Sequence, residues 1–63
     1  MRNAVISRDE ILEASRLMLQ EKGWSAIHMR SVAVRCGVSV GSLYNYFPSK
    51  TELVAATVES VWQ

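Results

Sequence analysis

Between Gly37 and Pro48 the chain reads GVSVGSLYNYFP, and this segment limits the fold more than any other. Gly37 supplies a permissive backbone for a tight turn, and Ser39 has the hydroxyl that caps a new helix. Pro48 stops that helix, because it lacks the amide proton that a helix interior needs. The spacing predicts a short helix over 40–47, with Leu43 and Phe47, four apart, on its buried edge. From Gly37 to Phe47 there is no charged residue; there are two glycines, two serines, two tyrosines and an asparagine. A surface helix ordinarily carries Lys, Glu and Arg on its wet side. The outward face of this one is therefore suited to something other than water.

The rest of the chain reads as helices that could hold such an element. Ser7 and Glu10 form an S-x-x-E capping box, and Ile6 and Ile11 are placed for a hydrophobic staple across it. Ile11, Ala14, Ser15, Met18 and Leu19 then recur at helical spacing, which predicts a first helix over 8–22. Gly23 stands where a left-handed residue ends a helix, with Trp24 placed to fold back onto Leu19. Met29, Val32, Ala33 and Cys36 carry a second helix that starts at His28, a weak cap, and ends at Gly37. Val38 is expected to plug the core between the second and third helices. Ser49 and Glu52 make a second capping box for a helix beginning at Lys50. Its apolar positions are Leu53, Val54, Val58, Val61 and Trp62, and no stop signal precedes Gln63. The expectation is a sequence cut in mid-helix.

Composition excludes several classes. With 63 residues, 49% hydrophobic and 21% charged, the chain is one globular domain or part of one. The one cysteine, Cys36, cannot form an internal disulfide, and no apolar run or leader-like N-terminus is present, so a cytoplasmic location is expected. One His and one Cys make no metal site. No nucleophile–base pair and no phosphate loop is visible, so neither enzyme activity nor a cofactor is expected. The net charge of +1 is unevenly spread. Between Glu21 and Glu52 there is no acid, whereas Lys22, Arg30, Arg35 and Lys50 are basic.

Two helices joined by a tight Gly-containing turn, with another packed across them, form the helix-turn-helix plan. The second helix of such a pair enters the major groove, which accounts for an outer face of small groups. Gly41 costs about 1 kcal/mol relative to Ala in a helix interior, a loss that fits close approach of the backbone to a partner. Ser39 and Ser42 can bond phosphates or bases at short range, and Tyr44 and Tyr46 carry hydroxyls on rigid stems. Arg30, Lys50 and the two helix N-termini near Met29 and Lys50 add positive potential. The acid-free span is then the part that faces DNA. Arg16 and Arg35 read as solvated helix charges.

The segment VAVRCGVSVGSLYNYFPSKTEL closely resembles the N-terminal DNA-binding domain of TetR-family transcriptional regulators. Ala33, Gly37, Val38, Ser39, Gly41, Leu43, Tyr44, Tyr46, Phe47, Ser49, Lys50 and Leu53 stand at the family's positions. Upstream, Ile11, Ala14 and Gly23 are in register with its first helix. The resemblance implies an all-α, homeodomain-like three-helix domain over 1–49. Residues 50–63 would begin a fourth helix, leading to a C-terminal domain that binds a small-molecule inducer and forms a homodimer. It implies contacts to double-stranded operator DNA from Arg30, Val40, Gly41, Ser42, Tyr44, Tyr46 and Lys50, to which the reading of the residues adds Ser39 and His28. Repression is the family's usual mode.

Three positions depart from the pattern. His28 replaces the usual capping threonine, beside Ile27; it is either a pH-sensitive phosphate contact or an exposed cap. Leu19 replaces an aromatic. Val40 stands where a polar residue is frequent, which suggests an apolar contact with a thymine methyl. Tyr46 is open to two readings, DNA contact or core cover, and Cys36 is read as buried and inert. Val61 and Trp62 look made for the C-terminal domain. The rival class is a protein-interaction module.

Overall fold

A computed structural model describes residues 7–62, with four helices and no strand among them. They are α1 (Arg8–Lys22), α2 (Met29–Cys36), α3 (Val40–Tyr46) and α4 (Lys50–Val61), with a 3₁₀ turn at Trp24–Ala26. The all-α expectation is met.

Each helix starts where a side chain satisfies amides that the helix itself cannot. At α1, Ser7 Oγ accepts the Glu10 N–H at 3.2 Å and Glu10 Oε1 accepts the Ser7 N–H at 3.0 Å, closing the predicted box. The staple partner Ile6 lies outside the described residues. At α4 only half of the second box forms: Ser49 Oγ accepts the Glu52 N–H at 3.3 Å, without a return bond from the Glu52 carboxylate. At α2 the cap comes from a residue that the sequence analysis passed over. Ser31 Oγ accepts the His28 N–H at 3.0 Å and donates to the Ala26 carbonyl at 2.7 Å.

The helix ends are equally specific. Gly37 sits at φ 76°, ψ 28°, the left-handed region. Its N–H reaches the Val34 carbonyl, and the Val38 N–H reaches back to the Ala33 carbonyl at 3.0 Å. This pair of bonds is the Schellman arrangement, and Val38 packs on the core as its apolar closure. Gly23 also has positive φ (86°), but its ψ of −178° sends the chain into the 3₁₀ turn instead of a left-handed cap. Trp24 stays 46% exposed there. α3 ends one residue before the predicted 47, because Phe47 precedes Pro48 and is driven to extended geometry (φ −133°, ψ 107°). α4 likewise stops at Val61, where Trp62 closes a turn onto Glu59; Gln63 lies outside the described residues.

Ile11, Leu12 and Met18 of α1, Ile27, Met29, Val32 and Ala33 around α2, Leu43 and Phe47 of the α3 segment, and Leu53 and Ala56 of α4 form one core. α4 is thus part of the same packing unit as the first three helices. Two polar residues are buried with it. Thr57 Oγ1 donates to the Leu53 carbonyl at 2.7 Å, so its contact with Ser15 Oγ at 2.9 Å uses the serine as donor. Both residues are fully buried and both hydroxyls are satisfied, so the pair fixes the register of α4 on α1.

The Arg35 guanidinium is not merely solvated, as the sequence analysis had it. It grips the Glu21 carboxylate with two bonds of 2.9 and 3.0 Å, tying the end of α1 to α2. That hydrogen bonding holds the Glu21 carboxyl below its ordinary range. Its contribution is therefore complete above the usual carboxylate titration and is lost as pH falls through the lowered folded value. Both groups are solvent-exposed, so the pair is an orienting contact more than a source of stability.

Two stability predictions follow from this packing. Gly37→Ala should cost about 1–2 kcal/mol in urea unfolding, and Gly37→Asn less. The added methyl of Ala would meet nothing within 4 Å, so any loss reports backbone conformation alone. Equal stability of the alanine variant and the parent would contradict the left-handed assignment. Thr57→Val should cost about 1–3 kcal/mol by stranding the Ser15 hydroxyl, and adding Ser15→Ala should recover part of the loss. Strictly additive losses would argue against the buried pair.

Candidate nucleic-acid interface

A helix turns about 100° per residue, so the directions of the α3 side chains follow from the buried ones. Leu43 is fully buried and Phe47 nearly so, and together they define the inward direction. Asn45 is then directed away from both, about 160° from each. Gly41, one turn earlier, shares its face, and Ser42 borders it. Tyr44 and Tyr46 occupy opposite shoulders, which agrees with their similar exposures of 47% and 40%. Val40 is part-buried and packs against the core, so it offers less to the outside than the sequence pattern implied.

Ser39 and Ser42 are brought together. Ser39 Oγ accepts the Ser42 N–H at 3.1 Å and donates to Ser42 Oγ at 3.1 Å. The Ser39 hydroxyl is thereby committed to the cap, while Ser42 keeps its own proton for an outside acceptor. Gly41 has no structural reason to be glycine. Its φ is not positive, and a Cβ built there would meet only Ser39 Oγ, at 3.8 Å.

Two basic residues, in the first turns of α2 and α4, are without neutralising contacts. Arg30 and Lys50 are exposed, and neither has an ion-pair partner among the described residues. His28 is exposed at the start of α2 and lines an open groove with Met18, Lys22, Arg30 and Val34. Tyr46 borders a separate shallow cavity with Arg8, Phe47 and Glu52, and the Arg8 guanidinium lies 5.2 Å from the Phe47 ring centroid. Cys36 is part-buried against the core. Among the described residues no cluster of three His, Cys, Asp or Glu could hold a metal, and no helix is long and apolar enough to cross a membrane.

An uncharged, small-residue helix face, in a chain whose exposed Arg30 and Lys50 have no ion-pair partner among the described residues, is suited to lying against a polyanion. The family model described as bacterial regulatory proteins, tetR family, matches residues 11–57. The chain belongs to the tetR family. The tetR match runs from Ile11, the first core residue, to Thr57, so it takes in α2 and α3 whole, most of α1 and α4, and both ends of the Ser15–Thr57 bond. The chain is 43% identical over 51 residues to the HTH-type transcriptional repressor KstR of Rhodococcus jostii, covering 81% of this chain and 24% of that protein. It is 35% identical over 52 residues to the HTH-type transcriptional regulator UidR of Escherichia coli K12, covering 82% and 26%. A third tetR-family relative, the repressor KstR2 of Mycobacterium tuberculosis, is 43% identical over 47 residues, covering 75% and 24%. The chain thus spans about a quarter of the length of the curated relatives it matches. No solved structure matches it with significance.

Two residues stand here that were not among those expected at the site: Asn45, on the outward face of α3, and Ser31, which caps α2. Asn45 was legible from the helical angle between it and Leu43; Ser31 was legible only as the third residue after a weak cap.

Because Gly41 is free of intramolecular constraint, Gly41→Ala should fold with unchanged or raised stability, by up to about 1 kcal/mol. Gly41→Leu should also fold, but should lose DNA binding in a gel-shift or anisotropy titration. A folded leucine variant that binds as the parent does would remove the close-approach argument.

Proposed function

We propose that this chain is the DNA-reading part of a sequence-specific transcriptional regulator, which inserts α3 into the major groove of a palindromic operator. The observation that carries the reading is the outward face of α3, uncharged and with a glycine that the fold does not require, in a chain whose Arg30 and Lys50 are exposed in the first turns of α2 and α4. Arg30, Lys50, His28 and the Ser42 hydroxyl would hold phosphates, and the face between them would meet bases. Tyr44 and Tyr46 would reach the backbone on either side, with Ser39 acting through the cap and Val40 at the groove edge.

The whole protein would be a repressor, as two of the named relatives are, released from its operator by a small-molecule inducer. Homodimerisation and inducer binding would belong to a C-terminal domain joined through α4. Val58, Val61 and Trp62 support that reading, since they are 39%, 53% and 82% exposed at the far end of α4 and in the turn that closes it. A cytoplasmic location and the absence of enzymatic activity accompany this reading.

One observation favours a rival. Val34 is 73% exposed on α2 beside the groove that Met18 helps to line, an apolar patch of the kind a protein-interaction module uses. Salt separates the two readings, because phosphate contacts release counterions and apolar ones do not.

The test is selection from a random duplex pool, using the 63-residue chain joined to a dimerising coiled coil. Recovery of two-fold symmetric sites with half-sites about one helical turn apart is expected; no enrichment by a folded dimer would end the operator reading. On the selected site, Lys50→Ala should weaken binding to all sequences alike and reduce the slope of log K against log salt by about 1. An unchanged slope would take Lys50 off the DNA backbone.

A further inference from the structure

The reading of α3 as the groove-entering helix leaves open which side chain distinguishes one base pair from another. Several residues are unsuited by what the structure already asks of them. Leu43 is buried, Val40 packs on the core, and Ser39 has its hydroxyl taken up by the cap. Gly41 has no side chain. Tyr44 and Tyr46 diverge by about 100° on either side of Asn45, toward the two walls of a groove and away from its floor.

Asn45 is left at the centre of the outward face. It is exposed, and its amide makes no hydrogen bond within the described residues. Asparagine is a poor helix former compared with Ala, Gln or Lys, so nothing in the helix itself favours it there. Gly41 lies one turn before it on the same face and clears the space through which the backbone would have to descend. α3 has seven residues and is therefore about 10 Å long. The major groove is about 12 Å wide, so both ends of the helix fit within one crossing and Asn45 is not carried out of it.

We propose that Asn45 is a base-reading residue of this chain and that it selects adenine in the operator half-site. The side-chain amide has one acceptor and two donors in a plane. Adenine presents the complementary pair in the major groove, with its N6 amino group donating to Oδ1 and its N7 accepting from Nδ2. Guanine offers two acceptors at the same edge, which an amide cannot match with both of its atoms. A good bidentate pair of this kind discriminates against the wrong base roughly 5- to 100-fold.

This inference rests on the DNA-binding reading, and the experiment separates the two. The 63-residue chain, dimerised as above, and its Asn45→Ala variant are titrated with the selected duplex carrying 7-deazaadenine or purine at one adenine at a time. At one half-site adenine, either analogue should weaken the parent roughly 5- to 100-fold and leave the variant's affinity unchanged. Analogues that weaken parent and variant alike, or a half-site without any sensitive adenine, would overturn the assignment while leaving operator binding intact. Failure to select any site would instead overturn the reading beneath it. Because the analogues act on the parent protein, the adenine requirement is tested even if the variant folds poorly.

Discussion

A seven-residue helix does not hold itself together in water, since nucleation costs more than two turns of hydrogen bonds return. α3 is such a helix, and nearly everything around it serves to keep it in place. The left-handed Gly37 and the Val38–Ala33 bond set its entry direction, and the Ser39 hydroxyl accepts the Ser42 amide in its first turn. Leu43 is sealed in the core, and Pro48 ends the helix by forcing Phe47 out of it, yet Phe47 remains 98% buried (2% exposed). With the helix pinned by its ends and one edge, its outer face is relieved of structural duty. That freedom allows an uncharged face with a glycine in it.

The same economy shapes the link between α1 and α4. A hydroxyl pair in the core adds little net stability over an apolar pair, but each partner is costly to strand. Ser15 and Thr57 therefore act as a register pin: α4 cannot slide along α1 without leaving buried oxygens unpaired. Near the other end of α1, Arg35 and Glu21 add a surface tie to α2. Under the proposed function, a displacement of α4 would move the reading helix with it as one body. The exposed Val58, Val61 and Trp62 are the apolar part of α4 that this packing leaves uncovered.

Much of this was legible in the sequence, where local chemistry decides. The Ser7, Ser39 and Ser49 caps, the Gly37 turn and the Pro48 stop are contests between nearest neighbours, and all four helix starts and the first three helix ends lie within one residue of expectation, whereas α4, expected to run on through Gln63, ends at Val61. Pairings between distant residues were not legible. Nothing in the spacing of Glu21 and Arg35, or of Ser15 and Thr57, says that they meet, because their partners are chosen by how the helices pack. The α4 stripe was only partly legible for the same reason: Ala56 and Thr57 are buried while Val58 faces out, whereas the exposure of Val61 and Trp62 agrees with a face expected to be left for another domain. At the interface, residue types were readable but directions were not weighed. Val40 turned partly inward, the tyrosines diverged, and Asn45 emerged between them.

The central claim is that the outward face of α3 is the surface that meets DNA. Amide chemical-shift mapping of the 63-residue chain during titration with a short duplex tests it directly. The largest changes should fall on Gly41, Ser42 and Asn45, with smaller ones at Arg30 and at Lys50. Changes concentrated on Val34 and the groove beside it, or on Val58, Val61 and Trp62, with α3 silent, would contradict it.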